Sequence, residues 1–254
     1  MKKLIVLGLV CCFVAIALMG CGAQKAAEGD KPLIVGGDGA YKPFEFRNDK
    51  NEITGFDVDL INAIAEEAGY KVEYQDTAWD GIVPALLNKK IDIIASAMTI
   101  TEERKKSIAF TDPYFDSGQA IAVAAKNADT LKQPADLDGK KIGVQMNATG
   151  DLVATEKLKN AQEIKRFNVI PDAFVALEND QVQAVVADVP VIFEYHQSNP
   201  GKIKILDNYL TVEQFGFGMR LEDKELKEKM NAALKKIKEN GKYDEIFAKW
   251  FGEK

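Results

Sequence analysis

Short apolar runs and amphipathic segments alternate along most of the chain. Runs that are continuously apolar or alternate with a period of two predict strands, and apolar residues spaced three or four positions apart predict helices. The predicted strands cover 33–35, 72–74, 91–95, 118–124, 141–145, 164–167, 183–186, 203–206 and 215–219. The predicted helices cover 57–68, 81–90, 152–159, 171–177 and 189–196, followed by two amphipathic helices over 226–237 and 243–251. Strands and helices in turn predict an α/β fold with mostly parallel sheets.

The stretch 91–114 combines a buried strand, a polar loop and the start of a short helix. Its first residues carry one Asp among apolar side chains, the pattern of a parallel strand covered on both faces. Thr101 can cap the helix, and Arg104 projects from the first turn. Ligands of open α/β sheets bind beyond the carboxyl ends of the strands, so Arg104 is a candidate for gripping a carboxylate. The alternative is a surface Arg104 that pairs with Glu103 or Asp112.

Two acidic residues follow other predicted strands. Asp188 comes just after the strand 183–186. Like Arg104 it is a charged residue that follows a buried strand, but its charge is opposite. Its alternative role is the N-cap of the helix over 189–196. Asp38 comes just after the first strand in a glycine-rich loop, where it could accept hydrogen bonds from a ligand or serve only as a turn residue.

Two aromatic residues lie near the same strand ends. Tyr41 belongs to the glycine-rich loop, and Trp79 is predicted to lie in a loop before a helix that holds Pro84 in or near its first turn. The two rings could form the walls of a ligand site, or they could pack in the core.

A second candidate anion site is the start of the helix predicted over 152–159. Ala148, Thr149 and Gly150 are small residues whose backbone amides could face an anion there. The lysine spacing of a phosphate-binding loop is absent, so this is not a nucleotide motif.

The first 20 residues have the features of a signal peptide. Lys2 and Lys3 precede the apolar block Leu4–Met19, which at 16 residues is shorter than the roughly 20 needed to span a membrane. The segment 18–21 resembles a bacterial lipobox, so Cys21 is the expected site of lipid attachment. Residues 21–31 lack apolar periodicity and are expected to form a flexible tether. The alternative is an ordinary signal peptide that is cut nearby.

Composition and charge exclude several classes of function. Removing the leader lowers the 33 basic residues to 31 against 39 acidic ones, and this net charge of −8 argues against nucleic-acid binding. Cys11 and Cys12 lie in the leader, so the mature chain would hold Cys21 alone and no disulfide. With His196 as the single histidine, expected to be exposed, neither a metal site nor a cofactor is expected.

A series of motifs in order along the chain gives the sequence a family resemblance. The motifs are DGAYKPFEF at 38–46, GFDVDL at 55–60, WDGIVPAL at 79–86, ASAMTITEERK at 95–105, FTDPYF at 110–115, KKIGVQ at 140–145, AVVAD at 184–188 and GKYDEIFAKWFG at 241–252. With these motifs the chain resembles the family 3 bacterial extracellular solute-binding proteins of ABC importers, which bind polar amino acids such as glutamine, histidine and arginine.

The resemblance implies the type II periplasmic-binding-protein fold, in which two α/β lobes are joined by two hinge strands and each lobe is a mixed sheet flanked by helices. Lobe 1 would comprise 32–113 plus 216–254, and lobe 2 would comprise 119–210. The hinges would be 114–118 and 211–215.

The same resemblance implies how the two charged ends of an amino acid are held. Arg104 would bind the α-carboxylate, with help from the Thr99 hydroxyl and the backbone amide of Thr149. Asp188 would bind the α-ammonium together with the Ala97 carbonyl.

The resemblance also implies a set of contacts to the ligand side chain. Tyr41 and Trp79 would flank the ligand side chain. Asp38 would accept hydrogen bonds from the polar end of that side chain, and Gln145 could reach it too. Gln145 stands where glutamine binders commonly place a lysine, and Ala187 where they can place a histidine, so the identity of the bound side chain stays open.

The implied function is capture of a polar L-amino acid, either glutamine or a basic amino acid such as arginine, and delivery to an ABC permease. The protein would be a monomer outside the cytoplasm, held by its lipid on a bacterial membrane, at the outer face or in the periplasm. The alternative is a dehydratase-like enzyme on the same scaffold. Such chemistry needs a poised acid or base, and the candidates Asp38 and Asp188 are already assigned to ligand contacts.

Overall fold

The computed structural model describes residues 31–207 and 209–252. The signal peptide, Cys21 and most of the predicted tether lie outside the described residues. The strands are β1 (Leu33–Gly37), β2 (Ala40–Tyr41), β3 (Glu45–Arg47), β4 (Ile53–Thr54), β5 (Val72–Asp76), β6 (Ile93–Ile94), β7 (Ile108–Phe110), β8 (Phe115–Ser117), β9 (Gln119–Ala124), β10 (Lys141–Gln145), β11 (Glu163–Phe167), β12 (Ala184–Asp188), β13 (Ile203–Ile205), β14 (Glu213–Phe215) and β15 (Gly218–Arg220). The helices are α1 (Phe56–Glu67), α2 (Trp79–Leu87), α3 (Glu102–Lys105), α4 (Thr149–Lys157), α5 (Ile170–Glu178), α6 (Val189–Ser198), α7 (Lys224–Glu239) and α8 (Lys242–Phe251).

The first five-stranded sheet has the order β5-β1-β6-β15-β7. Successive side chains of a strand point to opposite faces, and in β6 the side chains of Ile93 and Ile94 accordingly belong to different apolar clusters. The Ile93 face packs with α1, α7 and α8, and the Ile94 face packs with α2. Both faces are therefore covered, as the apolar run had predicted.

The second five-stranded sheet has the order β11-β10-β12-β9-β13. In β12, Ala184 and Val186 pack on the side of α4, whereas Val185 and Ala187 pack on the side of α5 and α6. The prediction of two α/β lobes, each a mixed sheet flanked by helices, is confirmed. The exact lobe boundaries stay a prediction.

The expectation of mostly parallel sheets is wrong. In each five-stranded sheet two strand pairs are parallel and two are antiparallel. Parallel neighbours need a crossover connection, usually a helix. β9 and β15 instead follow β8 and β14, the strands that connect the two sheets, without a crossover helix. They are therefore antiparallel to their neighbours.

The two sheets are connected by β8 and β14, which form an antiparallel pair of their own. The rings of Phe115 and Phe215 stack across this pair with 5.8 Å between centroids. Where the two segments cross, a Cβ on Gly118 would lie 2.2 Å from the carbonyl oxygen of Thr211, so the crossing requires glycine. The pair lies within the segments 114–118 and 211–215, and bending of the chain there stays a prediction.

Three local predictions are wrong. Trp79 is the first residue of α2 rather than part of a loop; Ala78 at the N-cap makes no side-chain cap bond, so the sequence held no start signal. Pro84 is the sixth residue of α2, beyond its first turn. The segment 215–219 is not one strand, because the backbone amides of Gly216 and Phe217 bond to Met98 and Thr111 between β14 and β15.

The other predicted elements exist, and their ends differ by a few residues. The largest shifts are three residues, at α4, which begins at Thr149 rather than at 152, and at α2, which ends at Leu87 rather than at 90. His196 is half-buried rather than exposed, and its Nδ1 atom has no hydrogen-bond partner among the described residues.

Candidate functional site

A cavity lies between the two lobes. It is lined by Asp38, Tyr41, Trp79, Ser96, Ala97, Thr99, Arg104, Gln145, Ala148, Thr149 and Asp188. All nine residues that the sequence nominated for ligand contact are among them, and their role in binding stays a prediction.

The cavity forms where strands of both lobes end. In the first lobe, Asp38 follows β1 and the segment 96–99 follows β6. In the second lobe, Gln145 is the last residue of β10 and Asp188 the last residue of β12. Because the carboxyl ends of parallel strands meet at one edge of a sheet, these residues converge there.

Arg104 faces the cavity from α3. The Thr101 hydroxyl caps this helix by accepting from the Arg104 backbone N–H at 3.1 Å, as predicted. The guanidinium donates through Nη1 to the Thr99 carbonyl at 2.8 Å and lies 5.2 Å from the centroid of the Trp79 ring. Burial lowers the pKa of Arg104, although a guanidinium stays cationic in proteins. Within the described chain Arg104 forms no salt bridge, so the surface alternative is wrong.

Asp188 is the N-cap residue of α6, as the alternative held, but its side chain makes no cap bond. The carboxylate instead accepts hydrogen bonds from the Tyr41 hydroxyl and, at 2.8 Å, from Gln119 Nε2. Burial raises the pKa of Asp188 to about 7, and the negative charge of Glu213 adds to this rise. Tyr41, Arg104 and Gln119 oppose the rise.

Asp38 lies on the other wall of the cavity and is 5% exposed. Its Oδ2 atom accepts a hydrogen bond from Gln145 Nε2 at 2.9 Å, and its backbone N–H donates to Ser96 Oγ at 3.1 Å. Burial raises the pKa of Asp38 to about 6, although the Gln145 bond opposes it. Asp38 is therefore a buried acceptor.

Three side-chain contacts join the lobes across the cavity. Tyr41 bonds to Asp188, Gln145 bonds to Asp38, and the hydroxyls of Thr99 and Thr149 lie 3.2 Å apart. Each pair takes one residue from either lobe. The cavity is therefore enclosed by polar groups that face each other.

Two buried carboxyl groups that the sequence reading missed support the cavity floor. Glu45 Oε1 accepts from Ser96 Oγ at 2.6 Å, and Asp57 Oδ2 accepts from the Ala97 backbone N–H at 2.7 Å. Burial raises the pKa of Asp57 to about 7 and that of Glu45 well above its usual range. The two acids bond to the segment in which Ala97 has a left-handed conformation with a φ of 43°, which a residue other than glycine rarely adopts. The sequence does contain a signal for them, because each is an acidic residue beside aromatic ones: Glu45 lies in KPFEF and Asp57 lies in GFDVD.

Glu213 was missed as well. It begins β14 and extends its carboxylate to the cavity edge, where Oε2 accepts from the hydroxyls of Thr99 and Thr149 at 2.9 Å each. Gln119 Nε2 also donates to it at 3.2 Å. The available signal was an acidic residue inside a predicted hinge segment.

Neither a metal centre nor a membrane-spanning helix is found in the part of the chain that the structure describes. Over 31–207 and 209–252, no three His, Cys, Asp or Glu side chains are arranged to hold a metal ion. The helices of these ranges lack the length and apolar character that crossing a membrane requires.

Two lobes of α/β structure that enclose a polar cavity carrying both charges define a class of binding protein for small polar molecules. Residues 33–253 match the model of the bacterial extracellular solute-binding proteins, family 3. The chain belongs to this family, whose members are binding proteins and not enzymes.

Similar proteins agree with this assignment. A probable histidine-binding protein of Neisseria gonorrhoeae is 37% identical over 100% of this chain and 97% of its own length. The ABC transporter arginine-binding protein 1 of Escherichia coli K12 is 32% identical, with 99% of each chain covered. The solved structure of an ancestral arginine-binding protein bound to glutamine is 43% identical, has a TM-score of 0.83, and covers 87% of this chain and 98% of that chain.

Proposed function

We propose that this protein binds one polar L-amino acid between its two lobes, either glutamine or a basic amino acid such as arginine, and delivers it to the permease of an ABC importer. The observation that carries the proposal is that Arg104 and Asp188 line one cavity from different lobes. A zwitterion has a negative and a positive end, and each end has a partner of opposite charge here.

The α-carboxylate binds Arg104, and the structure leaves donors available for it. The Nη1 atom of Arg104 is the guanidinium atom bonded to Thr99, so the remaining N–H groups of the planar fork can meet a carboxylate. The backbone N–H of Thr149, at the start of α4, has no acceptor among the described residues and favours an anion.

The α-ammonium binds Asp188 and the Ala97 carbonyl. Asp188 is 4% exposed, and its burial without a cationic partner is unfavourable because a charge loses its hydration. The ligand ammonium supplies that partner. Closure of the lobes is therefore most favourable when a ligand bridges both, which shifts the hinge equilibrium towards the closed form.

The side chain of the ligand extends towards Asp38, between the rings of Tyr41 and Trp79. Asp38 and Asp188 give the cavity two carboxylates against the single cation of Arg104. After the zwitterion has paired with Arg104 and Asp188, Asp38 remains as an acceptor for an N–H group. Amide, guanidinium and imidazole groups each supply one. This fits the relatives named for arginine and for histidine, and the solved structure bound to glutamine.

Family membership supports a location outside the cytoplasm. We further propose that residues 1–20 are a signal peptide and that Cys21 carries the lipid that anchors a monomer to the membrane. The E. coli relative is named as part of an ABC transporter, which supports delivery to such a permease. Metabolic labelling with a fatty acid tests the anchor: wild type should be labelled, and a labelled Cys21→Ser variant would refute it.

Isothermal titration calorimetry with glutamine, arginine and histidine tests the binding proposal. Arg104→Ala or Asp188→Asn leaves one end of the zwitterion unpaired in a buried site. Removing one partner of such a pair costs about 2–5 kcal/mol, which corresponds to a Kd roughly 30- to 4,000-fold higher.

Matched variants outside the cavity separate binding from folding. Arg166 pairs with Asp151, and Asp92 pairs with Arg220. Arg166→Ala and Asp92→Asn should keep the wild-type Kd. Wild-type affinity in Arg104→Ala or Asp188→Asn would overturn the proposal.

A further inference from the structure

The carboxylate of Glu213 contacts both lobes at the edge of the cavity. Its Oε2 atom accepts from Thr99 Oγ1 of the first lobe and from Thr149 Oγ1 of the second, at 2.9 Å each. Thr99 and Thr149 are 4% and 7% exposed, and Glu213 itself is half-buried. This carboxylate therefore lies beside the groups that the proposed function assigns to the α-carboxylate of the ligand.

A threonine hydroxyl has one proton to donate. The nearer acceptor for the Thr99 proton in this structure is Glu213 Oε2 at 2.9 Å, since Thr149 Oγ1 lies at 3.2 Å. The proposed function needs the same proton for the ligand, because the Thr99 hydroxyl assists Arg104 in binding the α-carboxylate. Glu213 and the ligand carboxylate cannot both accept it.

The charge of Glu213 also acts on both ends of the proposed site. It is one of the negative charges that act on the Arg104 guanidinium, and it acts unfavourably on the Asp188 carboxylate. Gln119 joins the two acids, since its Nε2 atom donates to Asp188 at 2.8 Å and to Glu213 at 3.2 Å. A ligand carboxylate placed at Arg104 is therefore repelled by Glu213.

We propose that Glu213 competes with the α-carboxylate of the ligand for the Thr99 hydroxyl proton and thereby lowers the affinity of the site for amino acids. Glu213 remains well bonded when Thr99 turns to the ligand. Thr149 and Gln119 still donate to Oε2, and Thr211 Oγ1 donates to Oε1 at 2.7 Å. The competition therefore weakens binding without preventing it, and Glu213 is a residue that sets affinity.

The test is the Kd of Glu213→Gln, measured by calorimetry with the amino acid that binds wild type most tightly. The substituted amide keeps the shape and can donate to a threonine oxygen, so the Thr99 proton becomes free while the negative charge is lost. We expect a Kd about tenfold lower than that of wild type, the equivalent of one hydrogen bond to a charged group. Glu213→Ala removes the same charge and serves as a second variant.

Two controls make the result specific. Glu222→Gln makes the same change of charge at an exposed turn and should keep the wild-type Kd. A Thr99→Val variant lacks the hydroxyl proton for which Glu213 and the ligand compete. In that background Glu213→Gln should lower the Kd by less than threefold. An unchanged or higher Kd in both Glu213 variants overturns the inference, as does an undiminished gain in the Thr99→Val background.

This inference rests on the proposed function, and the two can fail separately. If wild type and both Glu213 variants bind none of the amino acids, the proposed function fails. If wild type binds and the Glu213 variants bind no more tightly, the competition alone is wrong.

Discussion

Amino-acid binding should weaken as the pH falls from 7.5 to 5. Burial raises the pKa of Asp188 to about 7 in this structure, and the proposed contact with the ligand ammonium needs the ionised carboxylate. A bound ammonium would lower the pKa of Asp188. When the Asp188 carboxyl group is protonated, it must therefore lose its proton before the ligand can bind. With a pKa of about 7, roughly nine-tenths of the carboxyl groups are protonated at pH 6, and the Kd should be about tenfold higher there than its high-pH limit. At pH 5 the factor approaches about 100-fold.

Calorimetry at pH 7.5, 6 and 5 measures this dependence directly. Glutamine and arginine keep their charges over this interval, so the titration belongs to the protein. Asp38, with its pKa raised to about 6, should add a smaller loss at the acid end. The Asp188→Asn variant should lose the tenfold step between pH 7.5 and 6. A wild-type Kd that is constant between pH 7.5 and 5 would refute the assignment of Asp188 to the ammonium.

Three further predictions follow from the same contacts. Trp79→Ala removes the ring that lies 5.2 Å from the Arg104 guanidinium, and the Kd should rise about 3- to 30-fold by calorimetry. Thr101→Ala removes the cap of the helix that carries Arg104; urea unfolding should show a loss of about 1 kcal/mol, with weaker binding as well. Without added ligand, thermal unfolding should occur at a higher temperature at pH 5.5 than at pH 8. The folded-state pKa of Asp57 and Asp188 is about 7, above the unfolded value, so the folded form binds extra protons as the pH falls. A flat or opposite trend would contradict the burial of these acids.

The position of the cavity could be predicted from the sequence because it depends on a simple rule. Arg104 and Asp188 are charged residues at points where buried strands end, and the carboxyl ends of strands in a sheet converge. Arg104 has no surface ion pair among the described residues, and Asp188 makes no side-chain cap bond although it is the N-cap residue of α6. A charge at the end of an apolar run was therefore the informative signal.

Other features could not be predicted because they depend on contacts between distant segments. Glu213 receives its hydrogen bonds from Thr99, Gln119 and Thr149, three separate parts of the chain, and no local pattern joins these positions. The antiparallel direction of β9 and β15 likewise follows from the path of the chain between the lobes. Trp79 begins a helix without a capping side chain, so its place there had no sequence signal.

The most direct test of the account compares the amino acid that binds with two of its derivatives, the N-acetyl form and the α-amide. The first lacks the ammonium that Asp188 is proposed to bind, and the second lacks the carboxylate that Arg104 is proposed to bind. Calorimetry should show that each derivative binds at least 30-fold more weakly than the free amino acid, since each leaves a buried charge unpaired. If either derivative binds as tightly as the free amino acid, the two lobes do not hold a zwitterion by its two ends.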